Sequence, residues 1–302
     1  MDGNLVRAAR VCDGMQTLRA VLGSVLLVFV IGCGVTQPEE SPGPGQAQRP
    51  TDAGELVLRV ETRGGLQPPL ERERQLPAIS IYGDGGVLMP GPVDAMFPGP
   101  AGYELDAFRI EADLLDEIVA AALAMGLHGE DRHLAQEGPA FVADAGATTV
   151  TLVTDDGPHV TTADALFETA DTDTPARTQL RDLVERLYAL RPTDAAPARY
   201  EPDAYRVYVA APDPGFGPDP AGTEPVFWPF PEPLGDWGEP LPADGLSVDV
   251  RCEVITAAGL ADAFEVLRAA RSTTIVMDPV GDQAIIAYRP LLPDEEGCAA
   301  GG

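Results

Sequence analysis

The residues of this chain that could do chemistry are few: four cysteines, three histidines, scattered serines and 48 acidic side chains. Cys33 has the most specific setting. It follows Val30-Ile31-Gly32 at the end of an apolar run, residues 20–33, and Arg7, Arg10 and Arg19 precede that run. A basic start, a short apolar segment and a small residue before the cut make a secretory signal. The run is shorter than the roughly 20 apolar residues of a spanning helix. Small and aliphatic residues followed directly by Cys form a bacterial lipoprotein signal. The thiol takes a diacylglycerol, and cleavage leaves Cys33 as the lipid-bearing first residue (palmitate-type acyl chains). Only a thiolate supplies that nucleophile. Two alternatives stay open: an ordinary signal peptide in which Cys33 is incidental, and an uncleaved N-terminal anchor. Met15 offers a more compact start for the same signal.

Cys12 lies in the signal, so Cys252 and Cys298 remain for the exported part. An oxidising compartment favours their pairing. The expected Cys252–Cys298 disulfide closes a loop of roughly 46 residues, worth about 4 kcal/mol in the chain-entropy account. A two-Cys metal or redox site would need closer spacing.

Other chemistries find less. Ser80, Ser247 and Ser272 are the serines of the folded halves, and none stands in Gly-x-Ser-x-Gly. His128 and His133 flank a helix end beside Glu130 and Asp131, too loosely for a zinc site, and His159 begins a strand. Asp171 and Asp173, near Asp164 and Glu168, are weak calcium candidates without the remaining acids, Gly and late Glu of an EF-hand loop. Gly83-Asp84-Gly85-Gly86 has neither a following helix nor a Lys, so it reads as a turn and not as a phosphate loop. No cofactor is expected.

The formal charge of −28 comes from acids set against arginine alone, since the chain has no Lys. Such a surface repels nucleic acid and anionic headgroups. Missing Lys, with Asn only at position 4, fits a GC-rich genome.

These residues must be positioned by the following elements. Residues 1–32 are the signal, and 33–54, rich in Gly, Pro, Gln and Glu, read as a disordered tether. Residues 55–192 form an N-terminal unit. Its strands fall at 55–60, 79–82 and 87–89, and at 148–154 returning through 159–161. Helical spacing joins Leu114, Leu115, Ile118, Val119, Ala122 and Leu123. Thr174-Pro175 opens a second helix with an apolar face of Leu180, Leu183, Val184, Leu187 and Tyr188. Residues 193–204 read as a linker. Residues 205–302 form a C-terminal unit with strands at 205–210 and 247–255, a helix marked by Leu260, Phe264, Leu267 and Ala270, and a hairpin at 273–277 and 284–288. The fold class is α+β: antiparallel hairpins with helices on one face, in two such units. Residues 211–243 make a Pro-dense loop bearing Phe227, Trp228, Phe230 and Trp237. It is the candidate recognition surface. The competing reading buries both tryptophans between the two halves.

The stretches Ile79-Ser80-Ile81-Tyr82-Gly83-Asp84-Gly85-Gly86-Val87 and Arg289-Pro290-Leu291-Leu292-Pro293-Asp294-Glu295 resemble an uncharacterised lipoprotein family of GC-rich, actinobacterial-type genomes. The first half also resembles envelope domains of unknown function. The resemblance spans most of the exported chain and implies no catalytic residues. The expectation is therefore a lipid-anchored envelope protein on the extracytoplasmic face of the cell membrane, with a non-catalytic binding or structural role. Its expected partners are the membrane, through the lipid, and an envelope protein or glycan. The alternative is an extracytoplasmic hydrolase using paired carboxylates.

Overall fold

The computed structural model describes residues 47–65, 67–93, 95–135, 144–168, 173–192, 196–212, 225–242 and 249–298. Cys33, Asp171 and the signal lie outside the described residues. Residues 46–302 belong to one compact unit. Among the described residues no helix is long and apolar enough to cross a membrane.

The fold is α+β. Its first part runs β1 (Leu56–Arg63), α1 (Pro69–Glu73), β2 (Ile79–Tyr82), β3 (Gly86–Pro90), β4 (Leu105–Arg109), α2 (Ala112–Ala124), β5 (Arg132–His133), β6 (Ala147–Thr154), β7 (Gly157–Asp164), α3 (Pro175–Tyr188) and β8 (Ala198–Arg199). The strands make one sheet in the order β5-β7-β6-β1-β2-β3-β4-β8. All its pairs are antiparallel except β5 with β7. The second part runs β9 (Ala204–Ala210), β10 (Val226–Phe227), β11 (Glu239–Pro240), β12 (Val250–Thr256), α4 (Phe264–Ala269), β13 (Ile275–Met277) and β14 (Gln283–Pro290). These strands make a second sheet in the order β10-β13-β14-β9-β12-β11.

Local sequence explains the long elements. β6 buries Thr148, Val150, Leu152 and Thr154 alternately, the period of a strand with one covered face. The Thr174 hydroxyl accepts the Arg177 amide at 3.3 Å, and Pro175 occupies the first turn of α3. α2 ends at Gly126, whose φ of 72° suits a residue without Cβ. Leu115, Ile118 and Val119 of α2 and Leu180, Leu183 and Val184 of α3 pack on Val60, Ile81, Val150 and Leu152 of the first sheet.

Residues 47–54, which composition assigns to the tether, are bonded to the body instead. Asp155 Oδ1 accepts the Gln48 amide and the Asp155 amide donates to Gln48 O, both at 2.9 Å. Arg49 reaches Asp116 at 2.8 Å. Main-chain bonds and one arginine hold this segment, so its polar composition gives no sign of order. β8 likewise falls within residues read as linker, and pairs with β4.

Among the described residues, a loop and a strap help to join the sheets. The loop after β3 crosses to the second sheet, where the Ala101 amide donates to Ala270 O (3.0 Å) and Ala101 O accepts the Tyr288 amide (3.1 Å). The Tyr288 ring then lies against Gly102: a Cβ there would come within 2.2 Å of Tyr288 Cζ. The second connection is the strap after β14. Leu292 packs with Leu76, Tyr82, Leu88 and Leu105 on the first sheet's other face. Asp294 Oδ1 accepts Arg59 Nη2 of β1 at 2.7 Å and the Tyr82 hydroxyl of β2 at 3.0 Å. The two stretches that carry the lipoprotein resemblance therefore touch each other here. Glu295 turns toward the second sheet and takes both Nη groups of Arg289 at 2.8 and 2.9 Å. Arg206 stands 3.7 Å from the same carboxylate and donates through Nε to Gly297 O at 2.7 Å. Cys298 closes the expected disulfide with Cys252 of β12, with a Cα–Cα distance of 5.8 Å.

Burial alone would raise the Glu295 pKa, but the Arg289 hydrogen bonds and charge, the Arg206 charge and the Leu292 amide outweigh it and hold it below its ordinary 4.5. A group depressed in the folded state adds stability that is full above its unfolded pKa and disappears as pH falls through the folded value. Urea titrations from pH 7 downward should therefore show stability falling below about pH 4.5. Glu295→Gln should cost about 3 kcal/mol at pH 7 and flatten that acid limb. Gly102→Ala should cost about 2 kcal/mol by overpacking against Tyr288. A Gly102→Ala unfolding midpoint equal to that of the parent would show that this crossing loop yields freely.

Candidate functional site

The aromatic residues singled out by sequence do not share one environment. Trp228, Phe230 and Trp237 form a cluster of their own, with Trp228 and Trp237 edge-on at 4.9 Å and Phe230 4.3 Å from Trp237. Both tryptophans are buried against Val207, Val209, Val276 and Ile286. They belong to the core of the second sheet, under α4, and not to a seam between two halves. Trp228 Nε1 donates to Glu232 O at 2.7 Å, which satisfies the indole within its own turn.

Asp278 ties this segment to the β13–β14 hairpin. Its Oδ2 accepts the Leu234 amide at 3.0 Å, and its Oδ1 accepts the amides of Val280, Gly281 and Asp282. Burial opposes ionisation here, yet these backbone donors hold Asp278 below its usual range. Of the four aromatics, Phe227 is the exposed one, at 79% on the edge strand β10.

Asp173 is buried, with its carboxylate facing Arg177 at 2.7 Å and also Arg181. Two guanidinium groups occupy the place a calcium ion would need. Arg177 is fully buried and donates onward to the carbonyls of Leu134 and Asp164 at 2.7 and 2.8 Å. The cluster fastens α3 to its surroundings. His133 pairs with Asp164 at 2.8 Å. His159 donates from Nδ1 to Gly129 O at 2.9 Å and meets Thr154 Oγ1 through Nε2. Among the described residues no group of three or more His, Cys, Asp or Glu is placed to hold a metal ion.

A groove of about 310 Å³ opens on the first sheet's face opposite α2 and α3. Tyr82, Leu88, Ala107 and Tyr200 line it, with Asp84 and Arg109 at its polar end. It follows from β2, β3 and β4 lying side by side, with Tyr200 brought in beside β8. Arg109 Nη1 lies 2.6 Å from Asp84 Oδ2, and the Gly86 amide donates to Asp84 Oδ1 at 2.9 Å. Desolvation works against the Asp84 charge, but Arg109 and that amide keep it below the ordinary value. Burial, helped by the charge of Asp294, pushes Tyr82 up. Tyr200 is pushed up to about 12 by burial and by the charges of Asp203, Glu295 and Asp294. The Tyr82 and Tyr200 hydroxyls donate to Asp294 Oδ1 and Leu291 O, at 3.0 and 3.3 Å, so the groove offers apolar walls and the Asp84–Arg109 pair at its polar end. Sequence reasoning passed over it because its residues come from three strands and from loop positions as far apart as Gly54, Asp84, Tyr200 and Pro293, and share no motif.

No protein family, curated protein or solved structure matches the chain.

Truncating an aromatic distinguishes core from surface. Trp237→Ala should lose about 3 to 5 kcal/mol in urea unfolding. Phe227→Ala should stay within about 0.5 kcal/mol of the parent. Equal losses at both positions would contradict this division.

Proposed function

We propose that the chain is a lipid-anchored protein on the extracytoplasmic face of the cell membrane, with a non-catalytic binding role. The observation that carries the reading is the Cys252–Cys298 bridge. Disulfides persist in oxidising, exported compartments and are rare elsewhere. The Val30-Ile31-Gly32-Cys33 sequence supplies the route to that compartment and the attachment point.

The electrostatics favour binding over hydrolysis. A carboxylate hydrolase needs one acid whose pKa is raised toward neutrality so that it can give up a proton. Among the described residues, Asp84, Asp278 and Glu295 are held below the ordinary carboxylate range by arginine or backbone donors, the opposite of what such an acid needs. The groove, with Leu88, Ala107 and Phe108 in its walls and Asp84 and Arg109 at one end, suits apolar contact with a ligand group from a glycan or a peptide of the envelope.

Metabolic labelling with a radioactive or clickable palmitate should mark the full-length protein, and Cys33→Ala should abolish the label. Labelling that persists in the Cys33→Ala variant would refute the anchor, and an unlabelled parent protein would do the same.

A further inference from the structure

A chain with 48 acids and 20 basic residues repels small anions over most of its surface. One cavity runs against that field. It holds about 300 Å³ and is lined by Arg199 of β8, Arg268 of α4, Tyr288 of β14, and Gly102, Tyr103 and Glu104 of the crossing loop. The loop, the two arginines and Tyr288 come from distant parts of the sequence, and the joining of the two sheets brings them together.

Among the cavity's charged lining residues, two arginines face a single carboxylate, Glu104, which pairs with Arg199. Arg268 makes no ion pair or hydrogen bond with any described residue. Its guanidinium stands over the Phe264 ring at 4.5 Å, which directs the group while leaving its N–H donors unused. Tyr288 is only 5% exposed, and its hydroxyl also has no hydrogen-bond partner among the described residues. Gly102 fixes that ring by direct contact with Cζ. Burial raises the Tyr288 pKa, so at neutral pH its hydroxyl carries a proton to donate. Arg199 gives one amino group to Glu104, but both side chains are about half exposed, at 45% and 49%, so this pair is solvent-screened and weak. Both donors open to the cavity, so a ligand oxygen can take them without displacing a bond within the protein.

We propose that this pocket binds an oxyanion, the phosphate or carboxylate group of a small ligand, held by the forks of Arg268 and Arg199 and by the Tyr288 hydroxyl. The planar guanidinium matches two oxygens of either group. The proposal deepens the binding reading and rests on it, but not on the lipid anchor.

The test is calorimetric titration of the full chain in neutral detergent at low ionic strength, with inorganic phosphate in one arm and citrate in the other. Saturable binding of at least one is expected. Phosphate alone assigns a phosphate group and citrate alone a carboxylate, and either supports the pocket. Arg268→Gln should weaken that binding about tenfold with an unchanged thermal midpoint, since Arg268 lies exposed on its helix. Tyr288→Phe, which keeps the ring against Gly102, should weaken it several-fold. Absence of saturable binding in both arms overturns the proposal, and so does undiminished affinity in Arg268→Gln. Neither result depends on Cys33, so a failed anchor and a failed pocket give different outcomes.

Discussion

The carboxylate of Glu295 is the point on which the two-sheet arrangement depends. Removing a carboxylate and two guanidinium groups from water costs more than their attraction returns unless every lone pair and proton is used. Here they are used. Oε2 accepts Arg289 and the Leu292 amide, Oε1 accepts Arg289 and faces Arg206, and Arg206 spends its remaining donors on the carbonyls of Glu296 and Gly297. With Glu295 fixed, its neighbours have little freedom. Asp294 meets Arg59 and Tyr82 on the first sheet, and Cys298 meets Cys252 on the second. The groove and the arginine-lined cavity both inherit their shape from this fastening, because Pro293 closes one and Tyr288, next to Arg289, forms a wall of the other.

The absence of lysine acquires a structural meaning. Arg74, Arg177, Arg206 and Arg289 are all buried, and each joins segments far apart in sequence, Arg289 through its bond to the Tyr208 hydroxyl. Arg251 does the same from a partly buried position, donating to the carbonyls of Trp237 and Gly238 at 2.6 and 2.8 Å. A planar fork with five donors can satisfy several carbonyls at once, which an ammonium on a flexible stem does less well. Much of the positive charge is thereby spent inside, and the acids are left to dominate the surface. The cavity at Arg268 stands out because its arginine is not spent in this way.

How much of this was legible in the sequence varied by element. β6 and β7 announce themselves by β-branched alternation, α3 by Thr174-Pro175 and its leucine spacing, and the disulfide by elimination among four cysteines. β5, β8, β10 and β11 have two residues each, and their partners define them more than their own side chains do. α1 belongs in sequence to the first sheet, yet its Leu70 packs on the second sheet's Tyr208 and Cys252 cluster, a placement no local pattern encodes. Trp228 and Trp237 look like a recognition surface because they sit among prolines. Asp278, more than 40 residues beyond the start of that segment, provides the bonds that fold it inward. The groove and the arginine cavity are products of tertiary assembly, so nothing in the spacing of their residues foretells them.

The strap also sets an order of events. Ribosomal synthesis delivers Arg59 and Tyr82 long before their common acceptor, Asp294, which follows them by 235 and 212 residues. Contacts that span more than two hundred residues are slow to form because a long loop must close before any of them is rewarded. Until Asp294 is made, the chain therefore carries an open first sheet, with a guanidinium and a phenol lacking their acceptor. The strap acts as a clasp that the two-sheet body must wait for.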